Sequence, residues 1–279
     1  MNKPSLGDIK FINCLPLHYG LEHGGFGRQL NLHSGTPAEL NHLVLAGELN
    51  VSPVSSIIYA RHSEKLLVLP DVSISAKSGL QSIILVSKHP IAQLKQARIA
   101  LTAKSATSHG LLKIIMFHAY QGAPDYFISP LSLEEGVLND AQAVLFIGDD
   151  ALYAYHHRVT GYYYYDLGAE WQAMTGLAMV YAVWVVNRQF ASAHADLVQL
   201  VYRQVIDGFA YGLSNLSAAA QNLAGQVAFS EQQIINYINL LNYEFTPDHE
   251  LALLTYYRLA YGLGLIPNIP EIEFAKVIK

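Results

Sequence analysis

The sequence predicts an α/β protein. Three observations predict it. Strand-like and helix-like segments alternate through the first 186 residues. A second run of such units begins near His89-Pro90, and after Asn187 only helical periodicity remains. Strands alternating with helices imply largely parallel sheets, and the two runs suit two lobes followed by a helical tail.

The elements follow in order. Residues 7–12 read as a short strand, with a Pro16-started helix from about Leu15. Residues 29–33 form a second strand. Thr36-Pro37 then opens a helix, with Thr36 as N-cap, Pro37 in the first position and Glu39 at the third, where its side chain can reach back to the cap. Leu40, Leu43 and Val44 recur at helical spacing and Gly47 closes the helix. Residues 49–51 are a strand ending at Ser52-Pro53, and Ser55-Ser56 opens a helix over 57–62. Residues 66–69 and 80–87 are β-rich. In the second of these, Ile83, Ile84, Leu85 and Val86 make the continuous apolar run that a parallel sheet buries on both faces.

In the second run, 98–101 is a strand and a polar turn at 105–108 leads into a helix over 110–120. Residues 126–128 are a strand, and Ser132 starts a helix with Glu134 and Glu135 in its first turn. Residues 143–147 are a buried strand ended by Gly148, with Asp149 and Asp150 capping the helix that follows. The tyrosine run 162–165 reads as an edge strand, and 179–186 as a last long strand. Three helices are expected over 196–213, 230–241 and 246–263. Thr246-Pro247 repeats the cap-plus-proline start, and Gly262 and Gly264 end the last helix.

Bulk properties narrow the function classes. A chain of 279 residues with 52% hydrophobic and 14% charged residues belongs to a packed globular protein, not a disordered one. A net charge of -5 argues against a nucleic-acid partner, which calls for a basic face. Helix N-termini and hydroxyls still suit a small anion. The first ten residues lack the charged, apolar and small-residue segments of a secretory leader. The most apolar stretch, 177–186, is shorter than the roughly 20 residues of a membrane span. A soluble cytoplasmic protein with no membrane partner is therefore expected. The single cysteine, Cys14, excludes an intrachain disulfide and reads as a small packed side chain.

Motifs of metal, nucleotide or covalent chemistry are missing. There is no His-Glu-x-x-His, no phosphate-loop lysine motif, no serine elbow and no paired-cysteine motif. Gly24, Gly25 and Gly27 do not follow a strand in dinucleotide-binding spacing. His156-His157 reads as an exposed helix end. No metal and no cofactor are expected. Instead, three polar turns each follow a strand and open a helix: Ser55-Ser56, Ser105-Ala106-Thr107-Ser108 and Gly148-Asp149-Asp150. Ligands of open α/β sheets bind beyond the carboxyl ends of the strands, where free N–H groups and hydroxyls hold anions. Plain helix capping explains any one turn equally well; several turns facing one cleft favour a ligand. Asp149 and Asp150 admit both an acid–base role and a capping role. Trp171 and Trp184 read as core or cleft wall.

Further segments carry a resemblance. They are Phe11-Ile12-Asn13-Cys14-Leu15-Pro16, residues 35–41, 47–56 and 69–75, Gly79-Leu80-Gln81-Ser82-Ile83, residues 100–108, Leu145-Phe146-Ile147-Gly148-Asp149, and Tyr165-Asp166-Leu167-Gly168 running through Trp171 to Thr175-Gly176-Leu177. In this order and spacing, covering nearly the first two thirds of the chain, they resemble the menaquinone-biosynthesis chorismate dehydratases. Two departures stand out: Cys14 where Thr or Ser is expected, and Ala178 where Pro is expected.

The resemblance implies a type II periplasmic-binding-protein-like fold. Residues 1–87 with 187–279 would form one lobe and 88–186 the other, with the ligand between them. It implies chorismate as substrate and 3-[(1-carboxyvinyl)oxy]benzoate and water as products, in a monomer or homodimer. Asn13 and Ser82 correspond to positions beside the reacting ring. Ser55, Ser56, Ser105, Thr107, Ser108, Gly148, Asp149 and Thr175 correspond to the substrate-binding set. Neither an amide nor a hydroxyl is a good base at neutral pH. The resemblance therefore suggests that the substrate's own enolpyruvyl carboxylate takes the ring proton while Asn13 and Ser82 hold it. Two rivals stand beside this reading. One is the enzyme of the same pathway that makes 1,4-dihydroxy-6-naphthoate, which is expected to carry a different set of motifs around its cleft. The other is a non-catalytic binder of organic anions, and the lack of a leader counts against an exported one.

Overall fold

A computed structural model describes residues 3–102, 105–129 and 140–278. The first elements are β1 (Ser5–Asp8), α1 (Leu15–His23), β2 (Asn31–Ser34), α2 (Pro37–Ala46), β3 (Val51–Ser55), α3 (Ser56–Arg61) and β4 (Leu66–Ala76). Next come β5 (Ile83–Ser87), β6 (Arg98–Leu101), α4 (Ala106–His118), β7 (Asp125–Ile128), β8 (Ala143–Ile147), α5 (Gly148–His156), β9 (Tyr163–Asp166), α6 (Leu167–Thr175) and β10 (Met179–Asn187). The chain ends in α7 (Arg188–Ala193), α8 (Ala195–Ser214), α9 (Leu216–Ala224), α10 (Glu231–Ile238) and α11 (Pro247–Gly262).

Two five-stranded sheets result, ordered β2-β1-β3-β10-β4 and β7-β6-β8-β5-β9. The sheets are mixed, a correction to the parallel sheets expected. β5 and β10 each run antiparallel to both neighbours, because each enters its sheet on a return from the other. The apolar run in β5 records burial on both faces, complete at all five residues, and not strand direction. The chain crosses between sheets before Ile83 and again before Met179. Both crossings come earlier than the expected boundaries after residues 87 and 186.

Local chemistry explains the boundaries. Thr36 and Glu39 form the reciprocal cap expected of α2. β3 continues through Pro53, where a stop was expected. β1 pairs with β3 only at Leu6 and Val51, so Pro53 has no neighbour there that needs its missing N–H. β4 likewise runs past Pro70-Asp71; Asp71 has φ 64° and the ladder to β10 slips there, the mark of a bulge. The edge strand expected in the tyrosine run is β9. Sequence reading missed α6, α7 and α9. Asp166 caps α6 through the Gly168 and Ala169 N–H groups, and Asn187 caps α7 through those of Gln189 and Phe190. The helix expected at Ser132 lies outside the described residues.

Two contacts hold the architecture. Helices α1 and α8 touch backbone to backbone. A Cβ on Gly212 would stand 1.8 Å from the Pro16 oxygen, and one on Gly20 would stand 2.0 Å from that of Gly208. Between the sheets lies a buried seam of hydroxyls. Ser56 Oγ donates to Val180 O at 2.9 Å and lies 3.3 Å from Thr107 Oγ1, which accepts from the Ile57 N–H. From α11, the Tyr256 and Tyr257 hydroxyls donate to the backbone oxygens of Thr107 and Ser56. This seam ties α3, α4, β10 and α11 together.

Both contacts give testable outcomes. Gly212→Ala should lower Tm by roughly 5–10 °C in a thermal melt, since overpacking costs about 1–3 kcal/mol or more and a chain this size loses about 2–4 °C per kcal/mol. Thr107→Val leaves the Ile57 N–H buried without its acceptor. It should cost about 1–3 kcal/mol, read as a lower urea midpoint at unchanged slope.

Candidate active site

A cavity of about 80 Å³ lies between the sheets. The first sheet and its loops contribute Ile9, Phe11, Asn13, Cys14, Ser55 and Tyr181; the second contributes Leu80, Ser82, Ser105, Ser108, Ile147 and Gly148. These residues sit where strands end and helices begin, the expected place for a ligand in an α/β fold.

Asn13 lies on a short 3-10 turn, Ile12–Cys14, between β1 and α1. Its backbone oxygen accepts from the Tyr243 hydroxyl at 2.9 Å, while its side-chain Oδ1 is buried with no protein partner. Ser82 follows Gln81, which holds the left-handed φ of 65°. Asp166 Oδ2 takes the Gln81 N–H at 2.6 Å and so pins this turn. Ser82 O accepts from the Gly148 N–H at 2.8 Å, and its Oγ accepts from the Tyr237 hydroxyl at 2.9 Å. Gly148 opens α5 with φ 60°, a conformation that favours glycine. Ser105 caps α4, its Oγ accepting from the Ser108 N–H and standing 3.0 Å from Ser108 Oγ. Ser55 precedes α3 without making a side-chain cap bond.

Of the ten residues singled out in the sequence, the cavity brings together Asn13, Ser82, Ser55, Ser105, Ser108 and Gly148. The other four stand elsewhere. Ser56 and Thr107 spend their hydroxyls in the seam. Asp149 lies in the first turn of α5, whose N-cap position is held by Ile147. Its Oδ1 accepts from the Ile12 N–H at 3.3 Å, so it braces the Asn13 turn from behind. Thr175 ends α6, donating to Trp171 O and accepting from the Leu177 N–H. Ala178 serves the same corner, its oxygen accepting from the Trp171 indole.

Tyr181 was missed. Tyr181 lines the cavity, and its hydroxyl, like Asn13 Oδ1, is buried with no protein partner. In sequence it sits inside the apolar strand β10, and only its polar tip among aliphatic neighbours hinted at a second role. A buried polar atom left unpaired costs about 1–3 kcal/mol, so two cavity-lining residues that each carry one favour a polar ligand there.

The described part of the wall carries no charged side chain. Among the described lining residues there is no Asp, Glu, His, Lys or Arg. Burial, reinforced by the Asp8 and Asp149 carboxylates, pushes the Cys14 thiol up, so it stays protonated. Burial, then Asp166, does the same to the Tyr181 hydroxyl. The Asp166 carboxyl is itself raised by burial, against the pull of N–H groups including those of Gln81 and Gly168. Among the described residues no group of three or more His, Cys, Asp or Glu is placed to hold a metal ion.

Comparison with known proteins agrees with this architecture. Residues 4–262 match a family model described as menaquinone biosynthesis. The chain is 33% identical over 276 residues to chorismate dehydratase of Thermus thermophilus, covering 94% of this chain and 96% of that protein. It is 28% identical over 180 residues to chorismate dehydratase of Campylobacter jejuni, covering 63% and 64%. A crystal structure of a protein from Archaeoglobus fulgidus superposes with TM-score 0.75 at 18% identity, covering 94% of this chain and 98% of that one. The periplasmic aliphatic sulphonate binding protein of Escherichia coli superposes with TM-score 0.67 at 13% identity, covering 96% and 95%. The fold is thus that of the periplasmic binding proteins. The chain belongs to the menaquinone-biosynthesis family.

Proposed function

We propose that this protein is a chorismate dehydratase, a carbon–oxygen lyase that forms 3-[(1-carboxyvinyl)oxy]benzoate and water. One observation carries the reading beyond its relatives' names: a cavity between the sheets with no charged side chain among its described lining residues, lined by Asn13 and Tyr181, each of which has a buried polar atom without a protein partner. We further infer that the two sheets act as lobes around the substrate.

Breaking the ring C3–H and C4–O bonds and forming C3=C4 makes the ring aromatic. The products are strongly favoured, so the protein mainly has to ease proton removal. The electron pair from C3–H forms the new double bond as the C4 hydroxyl leaves. Charge developing on C3 spreads toward the ring carboxylate, and fixed donors there stabilise it. No described residue of the wall is a base at neutral pH. The enolpyruvyl carboxylate therefore takes the proton, which leaves with the hydroxyl as water. Asn13 and Ser82 hold that carboxylate over C3, and Ser55, Ser105 and Ser108 offer donors to the rest of the dianion. Such positioning supplies a large share of the barrier lowering.

Incubating purified protein with chorismate and separating the products by chromatography tests the reading. An aromatic product of the stated mass supports it; unchanged chorismate removes it. The same assay with cyclic de-hypoxanthinyl futalosine tests the sister reaction. Ser82→Ala should lower kcat/KM about 10²–10³-fold, the scale of losing one preorganised donor. Asn13→Asp, which sets a carboxylate against an anion, should lose at least as much. In the wild type, kcat should stay within about twofold between roughly pH 6 and 8.5. Asn and Ser do not titrate, and the raised Cys14 and Tyr181 groups stay neutral over that range. A protein base titrating near 7 would instead give about a tenfold fall per unit on the acid side.

A further inference from the structure

We propose that Tyr237, in the helical tail, is a positioning residue that sets the direction of the Ser82 hydroxyl; this rests on the function proposed above. The observation is a difference among the buried serines. Ser52, Ser56, Ser73, Ser75 and Ser87 each donate their hydroxyl to a backbone oxygen. Ser82 does not. It accepts, from Tyr237 Oη at 2.9 Å. A serine hydroxyl has one proton and two lone pairs. With the phenol occupying a lone pair, the Ser82 proton is left for an acceptor, and among the described residues no protein group takes it. Ser82 lines the cavity, so that acceptor is a ligand oxygen.

The tail is built to hold the phenol still. Ser230 and Gln233 cap α10 reciprocally, and Ile234, Tyr237 and Ile238 form its buried face. The whole Tyr237 side chain is 1% exposed. Burial, opposed by the bond to Ser82, raises its hydroxyl above the ordinary range, so it remains a donor. A phenol is a stronger donor than an alcohol, and a chain of such bonds polarises each member in the same sense. The Ser82 O–H is thereby made a better donor toward a carboxylate. Tyr243, a few residues on, bonds the Asn13 backbone from the same segment. The tail therefore braces both residues proposed to hold the substrate.

The test is a double-mutant cycle on chorismate turnover. Tyr237→Phe keeps the ring and removes only the hydroxyl. It should lower kcat about tenfold while KM changes less than about threefold. In a Ser82→Ala background the same change should alter kcat by less than about twofold, because its target is gone. Ile238→Val, which loosens the same helix face, should leave kcat unaltered. Should Tyr237→Phe fail to fold, Tyr237→Met takes its place in the cycle. Equal losses in both backgrounds, unaltered kcat in Tyr237→Phe, or a matching loss in Ile238→Val overturn the positioning role alone. Wild-type protein that leaves chorismate intact overturns the enzymatic reading, and this role with it.

Discussion

A buried row of hydroxyls holds one sheet against the other, and the cavity depends on it. Ser56 and Thr107 belong to helices that start from different sheets, yet their oxygens lie 3.3 Å apart. Tyr256 and Tyr257 close the row from α11. A polar network sealed from water is stable only when every member is satisfied, and it then specifies one arrangement. Because both sheets contribute cavity wall, the distance between Asn13 and Ser82 is inherited from this seam. Transport receptors of the same fold have to release what they capture. A protein that holds a reacting molecule gains from walls that do not drift.

The lack of charged side chains in the described wall follows the same logic. A buried lysine or arginine would bind an anion strongly in the ground state and would carry its own desolvation cost. Amides, hydroxyls and free N–H groups at helix starts supply partial positive charge without burying an ion. Asp166 and Asp149 stand one layer back and take up backbone N–H groups, at Gln81 and Ile12, that would otherwise be unpaired. These carboxylates shape the turns bearing Ser82 and Asn13 while staying out of the cavity.

Much of this was legible in the sequence, and the failures have definite causes. Strand and helix order came through because caps, prolines and apolar periods are local. The Thr36-Pro37-Glu39 start is a clear case. Strand direction was not legible. The run Ile83–Val86 reports how deeply β5 is buried, and depth is the same in either direction. Among the expected site residues, Asn13, Ser82 and Gly148 line the cavity, and their turns are distinctive in sequence. Ser56 and Thr107 fall in the seam and not in the cavity wall, since a hydroxyl at a helix start looks alike in sequence whether it meets a ligand or another helix. Tyr181 was missed since its neighbours in β10 are core residues. Tyr237 lies 155 residues from Ser82, beyond the reach of any local pattern.

The exchange of strands between sheets bears on how the protein is made. The first sheet has a gap between β3 and β4 until β10 arrives from the far side of the second. A nascent chain leaving the ribosome can complete the second sheet first, since β5 to β9 are contiguous. The amino-terminal strands β1 to β4 must wait, with unpaired edges, for residues 179–187, and the pocket waits longer still, for Tyr237 and Tyr243. A chain cut short in the tail would lack the Tyr237 and Tyr243 contacts to Ser82 and Asn13.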